Sequence, residues 1–210
     1  MAKKKILLCQ SGRHFKIKKA YSYLQETLDD YTIDNYNNVE IFNNKDFFEY
    51  DTTIFYTHFS EFTKEQEKNV LDFIASGKGF VGLHAASASF KKHPKYYEMI
   101  GGRFIKHKKK TNIDIKIIDK EHPITKNLGN FTFYDEPYRH DFSMKGDMKV
   151  LAEAYYYDEE DPDPEPIIWV KTYGEGRVAF CALGHQTKSL KNEIYCTIIK
   201  NLVSWVFKGQ

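Results

Sequence analysis

The segment Gly79-Phe80-Val81-Gly82-Leu83-His84 restricts the fold more than any other. It is short and apolar without alternation, the pattern of a strand covered on both faces. A helical stretch runs directly into it. Thr63 and Gln66 have capping-box spacing, Val70, Leu71, Phe73 and Ile74 form a buried stripe, and Gly77 ends the helix. Earlier, residues 5–10 form another apolar run, closed by Ser11-Gly12-Arg13-His14. Ala20, Tyr21, Leu24 and Leu28 then recur at helical spacing, predicting a helix from Lys16 to Asp30. Val39-Glu40-Ile41-Phe42 and Thr53-Ile54-Phe55-Tyr56 read as the second and third strands. Strands that alternate with helices in this way predict a parallel sheet with helices on both faces.

The second half reads differently. A helix near Pro94–Ile100 is broken by Gly101-Gly102, and Ile113, Ile115 and Ile117 alternate with polar partners as in a half-buried strand. Phe131–Tyr134 and Lys149–Tyr157 suggest two more strands. The stretch from Asp158 to Pro166 alternates acids with prolines and is expected to be a solvated loop. Ile167–Tyr173 and Arg177–Leu183 flank Gly174-Glu175-Gly176 as a hairpin, and Leu190–Phe207 closes the chain as an amphipathic helix. No repeat or linker divides the chain, so residues 1–210 are expected to form a single domain.

Composition excludes several classes of function. With 31 Lys plus Arg against 29 Asp plus Glu, the formal charge is +2, which supplies no general drive toward nucleic acid or an anionic membrane. The N-terminal apolar run is too short for a signal-peptide core, and no segment has the length of a bilayer span. Three widely spaced cysteines, Cys9, Cys181 and Cys196, argue against a disulfide framework and read as core packing in a cytoplasmic protein. Neither a phosphate-binding Gly-x-x-x-x-Gly-Lys loop nor a Gly-x-Gly-x-x-Gly fingerprint occurs, so no nucleotide cofactor is expected. A homodimer is expected only from the general frequency of two-fold assemblies.

In open parallel sheets ligands sit beyond the carboxyl ends of the strands. Those ends carry Gly12 and His14, His58, His84, and His185 after Gly184. His84 ends the apolar strand and precedes small residues, and an imidazole there can act as base, acid or metal ligand. His107 follows Gly101-Gly102-Arg103-Phe104-Ile105-Lys106 and is favoured as a pocket residue over the lysines beside it. Glu136, in Asp135-Glu136-Pro137-Tyr138-Arg139-His140, reads as an acid or base, a ligand, or the orienting partner of a histidine. His84, His107 and His185 form a candidate set for a divalent zinc, manganese or iron ion, although no His-Glu-x-x-His spacing is present. His122, before Pro123, is read as structural, and His93 as an ordinary surface residue.

Several stretches together resemble the trehalose-utilisation, or ThuA-like, family. They are Gly79–Ala86, Gly101–His107, His122-Pro123-Ile124-Thr125, Asp135-Glu136-Pro137-Tyr138, Trp169–Val178 and Ala182-Leu183-Gly184-His185. They occur in order across most of the chain, with Pro137 where the family pattern has leucine. The family is similar in fold to class I glutamine amidotransferases. That similarity implies a flavodoxin-like three-layer α/β/α sandwich with a mostly parallel central sheet. Those amidotransferases use an elbow cysteine, and no cysteine lies around Leu83-His84-Ala85, which argues against glutamine hydrolysis.

The resemblance implies carbohydrate catabolism, on a disaccharide, a glycoside or its 3-keto derivative. A 3-keto group acidifies the neighbouring C–H bonds, so isomerisation or elimination needs a base and a group that holds the enolate oxygen. His84 or Glu136 would be the base, and His185, His107 or a bound metal the oxyanion partner. Tyr138 and Trp169 would stack on the sugar. The alternative is a non-catalytic sugar-binding or complex-forming subunit on the same fold.

Overall fold

The computed structural model describes residues 3–11, 17–58, 61–156 and 162–207. In chain order the elements are β1 (Lys5–Ser11), α1 (Ile17–Thr27), β2 (Thr32–Tyr36), β3 (Thr52–Thr57), α2 (Lys64–Ala75), β4 (Gly79–Leu83) and α3 (Pro94–Ile100). There follow β5 (Arg103–His107), β6 (Thr111–Ile117), β7 (Phe131–Asp135), β8 (Tyr138–Asp141), β9 (Lys149–Tyr155), β10 (Glu165–Tyr173), β11 (Gly176–Cys181) and α4 (Glu193–Phe207). The main sheet has the order β2-β1-β3-β4-β11-β10-β9-β6-β7. From β2 to β11 neighbouring strands are parallel, and from β11 to β7 they are antiparallel. Helices α1 and α4 pack on each other, as do α2 and α3, and α2, α3 and α4 all reach β11. This is the α/β/α sandwich expected from the sequence, its parallel half extended by an antiparallel one.

Burial explains why the central strands read so clearly. Every residue of β3 and of β4 is buried. Strand β6, nearer the edge, alternates, with Ile113, Ile115 and Ile117 buried. Thr63 and Gln66 form the reciprocal capping box, and Gly101 takes the left-handed conformation that ends α3.

Four expectations are corrected. Val39–Phe42 is not a strand: Glu40–Asn43 is a 3-10 turn, and the second strand is β2. Ile41 and Phe42 enter the core from that turn, with Phe42 against Phe47, Phe55 and Phe62. The final helix begins at Glu193, because Asn192 caps it through the Tyr195 amide after a separate 3-10 turn, Thr187–Lys191. Glu165 is not solvated. It is buried at the start of β10, where it accepts from His140 Nδ1 at 2.7 Å and pairs with Arg139 at 3.4 Å. Residues 157–161 of the acidic stretch lie outside the described residues. His93 is also buried, with Nδ1 3.1 Å from Glu67 and Nε2 3.6 Å from Glu61.

Candidate active site

Four separate segments meet at the carboxyl end of the parallel strands. The corner after β4 carries His84, β5 ends in His107, the β7–β8 connection carries Glu136 and leads to Tyr138, and the loop after β11 carries His185. With His58, Ala85, Ala88, Phe104 and Lys110 they line a hollow of 380 Å³. That is within the size range of small-molecule sites.

His84 has a positive φ of 44°. A non-glycine residue in the left-handed region carries strain, which is held here by the closed strand before it and the 3-10 turn after it. Its Nδ1 lies 2.8 Å from the carbonyl oxygen of Ala182. A carbonyl can only accept, so Nδ1 donates and the neutral ring leaves its lone pair on Nε2. That Nε2 is buried, has no hydrogen-bond partner, and lies 3.8 Å from Glu136 Oε2. An imidazole lone pair and a carboxyl oxygen therefore face one another, too far apart for a hydrogen bond. Burial lowers the His84 pKa to about 3, against the hydrogen bond to Ala182, which raises it. His84 is expected from its residue type to titrate near neutrality and serve as a base, but burial makes it a poor one and leaves its lone pair available for a cation or a donor.

His185 Nδ1 is 2.9 Å from the same Oε2 of Glu136. Its pKa is lowered to about 4, by burial first and then by the neighbouring His84. Donor atoms of His84, Glu136 and His185 all lie within 4.8 Å of one another. The third member of this tight set is Glu136 rather than His107. His107 Nδ1 stands 4.0 Å from Glu136 Oε2 and bonds the Lys108 carbonyl at 3.0 Å, so it too presents Nε2 as its lone-pair atom.

The loop that carries His185 is gripped from three directions. Asp135 accepts from the Gly184 amide at 2.6 Å and the His185 amide at 3.2 Å. Tyr56 donates to the Gly184 carbonyl at 2.5 Å, and Tyr195 to the Leu183 carbonyl at 2.8 Å. Gly184 has φ +112°, and a Cβ there would collide with the Tyr195 hydroxyl. Burial raises the Asp135 pKa, opposed by the amides of Gly184, Glu136 and His185. Behind the hollow, Glu165, His140 and Ser87 form a buried chain, with His140 Nε2 3.0 Å from Ser87 Oγ. No local sequence signal marks Asp135, Tyr56, Tyr195, Ser87 or Glu165 as part of the site.

The other sequence candidates are placed as follows. Tyr138 lines the hollow, with its ring centroid 4.1 Å from that of His84, and His58 lines it from the exposed side. Trp169 does not line it. It is fully buried, stacked on Phe180 at 4.4 Å, with Nε1 donating to the Ile100 carbonyl, so the expectation that it stacks on sugar is corrected. Gly12 and His14 lie outside the described residues. Cys9 and Cys181 are buried free thiols, and burial pushes Cys181 up to about 12, as expected of packing residues. His122 is half-buried and accepts from the Ile124 amide through Nδ1, a turn-setting contact. Among the described residues no helix is long and apolar enough to cross a membrane.

The α/β sandwich, with a histidine at the strained corner after β4, shares the glutamine amidotransferase-like fold of the ThuA-like structures that it matches. The family model described as ThuA, trehalose utilisation, matches residues 5–206, and the chain belongs to that family. Among solved structures, a putative ThuA-like protein from Bacteroides uniformis is 21% identical with a TM-score of 0.81, covering 97% of this chain and 91% of that one. Another from Parabacteroides merdae is 18% identical with a TM-score of 0.83, covering 100% and 91%. A β-galactosidase from Rahnella sp. R3 is similar at 11% identity and a TM-score of 0.65, over 98% of this chain but 31% of that one. At these identities the likeness is one of fold. No curated protein matches the sequence.

Proposed function

We propose that the chain is a cytoplasmic carbohydrate-catabolism enzyme. It would act on a glycoside or disaccharide in its 3-keto form, by proton abstraction beside the carbonyl, with a divalent ion held by His84 Nε2, Glu136 Oε2 and His185 Nδ1. The observation that carries this reading is the bare, buried lone pair of His84 facing a carboxylate oxygen inside a hollow of ligand size. A cation between the two acceptors resolves that conflict, and the mixed nitrogen–oxygen set suits zinc, manganese or iron(II). The Ala182 carbonyl, by holding Nδ1–H, fixes the tautomer a ligand histidine needs. When bound, the ion supplies a Lewis acid for the carbonyl oxygen of the sugar.

The protein's own groups do the rest. Tyr138 and Phe104, with ring centroids 4.4 Å apart, offer the sugar an apolar wall. His107, its Nδ1 tied to Lys108, takes the proton from the carbon next to the carbonyl through Nε2. The electron pair of that C–H bond forms the enolate. In isomerisation the proton returns to the other face of the same carbon or to the neighbouring one. In elimination the pair forms a C=C bond as the glycosidic C–O bond breaks, and the proton passes from His107 to the departing oxygen.

The test is solvent-deuterium incorporation into a 3-keto glucoside followed by proton NMR, with zinc or manganese added. Loss of the signal beside the carbonyl is expected with wild type and is slowed at least about 100-fold in His107→Ala. A keto-sugar that binds without exchanging its proton would refute catalysis and leave the binding-subunit alternative.

A further inference from the structure

A second concavity of 540 Å³ adjoins the histidine hollow. Lys110 and His185 are walls of both, so the two form one continuous trough with an imidazole at the divide. The lining changes character across it. Beyond His185 stand Lys19, Lys110, Lys188 and Lys191. No described lining residue there is acidic. In a chain of formal charge +2, with 29 acidic residues, four lysines around a concavity with no acid among its described lining residues are a local feature and not a consequence of composition. Clustered like charges in a cleft repel one another and focus a positive potential into it. Two of them also approach aromatic rings. Lys191 Nζ lies 4.8 Å from the Tyr23 ring and Lys188 Nζ 6.0 Å from the Tyr134 ring, contacts that leave both charges unneutralised.

We propose that this lysine trough is an anion subsite. It takes a phosphoryl or carboxylate group carried on the same sugar whose reactive ring sits among His84, Glu136 and His185. The ligand class is then a sugar phosphate or a sugar acid, with its anion on the far side of His185 from the reacting carbon. Which sugar end lies at His185 rests on the function proposed above, but the affinity of the trough for an anion does not. Lysine ammonium groups bind phosphate as point charges, so the subsite selects for charge and tolerates variation in the shape of the anion.

The test is calorimetric binding of glucose, glucose 6-phosphate, glucuronate and inorganic phosphate to the full chain, at low and high salt. Wild type is expected to bind at least one anionic sugar about tenfold more tightly than glucose, and to lose much of that preference at high salt. The tighter of glucose 6-phosphate and glucuronate identifies the anion. Lys188→Ala/Lys191→Ala is expected to remove about tenfold of the anion affinity, whereas Lys116→Ala, on β6 away from the trough, is not. Melting curves check that both variants are folded, and Lys188→Glu, which replaces a positive charge by a negative one, must weaken anion binding more than Lys188→Ala does. Anionic sugars that bind no better than glucose, or a preference unaffected by the lysine variants, overturn the subsite. Lysine-dependent anion binding by a protein that exchanges no proton on any keto-sugar would sustain the subsite and sink the proposed function. Proton exchange on neutral keto-sugars without any anion preference would do the reverse.

Discussion

Replacing His84 with asparagine should make the fold less sensitive to acid. In the folded chain burial holds the His84 pKa at about 3, from an ordinary 6.5. Between those values the unfolded chain binds a proton that the folded chain refuses, so stability is complete above the unfolded pKa and is lost as pH falls. At pH 4 the deficit is roughly two and a half units at about 1.4 kcal/mol each, or about 3 kcal/mol from this one side chain. Asparagine removes the titration and accepts the positive φ of 44° more readily than histidine does. The assay is urea unfolding of both proteins at pH 7 and pH 4, with a chelator present so that no ion stabilises the native state. The wild type should lose about 3 kcal/mol more than His84→Asn between the two pH values, since titrations distant from His84 cancel and the adjacent His185, relieved of one of the groups that lower its pKa, changes by less. Equal losses would refute a buried, neutral His84.

Other outcomes follow from individual contacts. Gly184→Ala should destabilise the chain by about 2 kcal/mol in urea and displace His185, because the new methyl meets the Tyr195 hydroxyl at a left-handed backbone position. Trp169→Phe should cost about 1–2 kcal/mol through the lost bond to Ile100 and leave sugar affinity unchanged by calorimetry, since the indole is core. Glu165→Gln leaves Arg139 and His140 without their buried carboxylate, and a loss of about 3 kcal/mol is expected in the same unfolding assay.

What could be read from the sequence was what local periodicity encodes. Strand β4, the capping box at Thr63, the bounds of α3 and the β10–β11 hairpin each leave their signal within a dozen residues. Strand β2 leaves almost none, since on the sheet edge it buries only Ile33. Ile41 and Phe42 mimicked a strand because a turn can deliver two apolar side chains to the core as well as a strand can. At the site, the strand-end rule pointed to His58, His84 and His185, the preference for an imidazole over the lysines beside it to His107, and the Asp135–Tyr138 segment to Glu136. Asp135 and Glu165 had no local sign. The groups that make a buried carboxylate tolerable, Gly184 and His185 for the one and Arg139 and His140 for the other, are distant in the chain. Trp169 misled for a related reason: its indole N–H finds the Ile100 carbonyl only in the folded core.

The most direct measurement is metal binding by chelator-stripped protein, titrated with zinc and with manganese in a calorimeter and checked by elemental analysis after dialysis. One ion per chain is expected in the wild type, with binding abolished in Glu136→Gln and in His185→Ala and retained in His107→Ala. No stoichiometric uptake, or uptake unchanged when Glu136 and His185 are replaced, would contradict a cation between the facing acceptors.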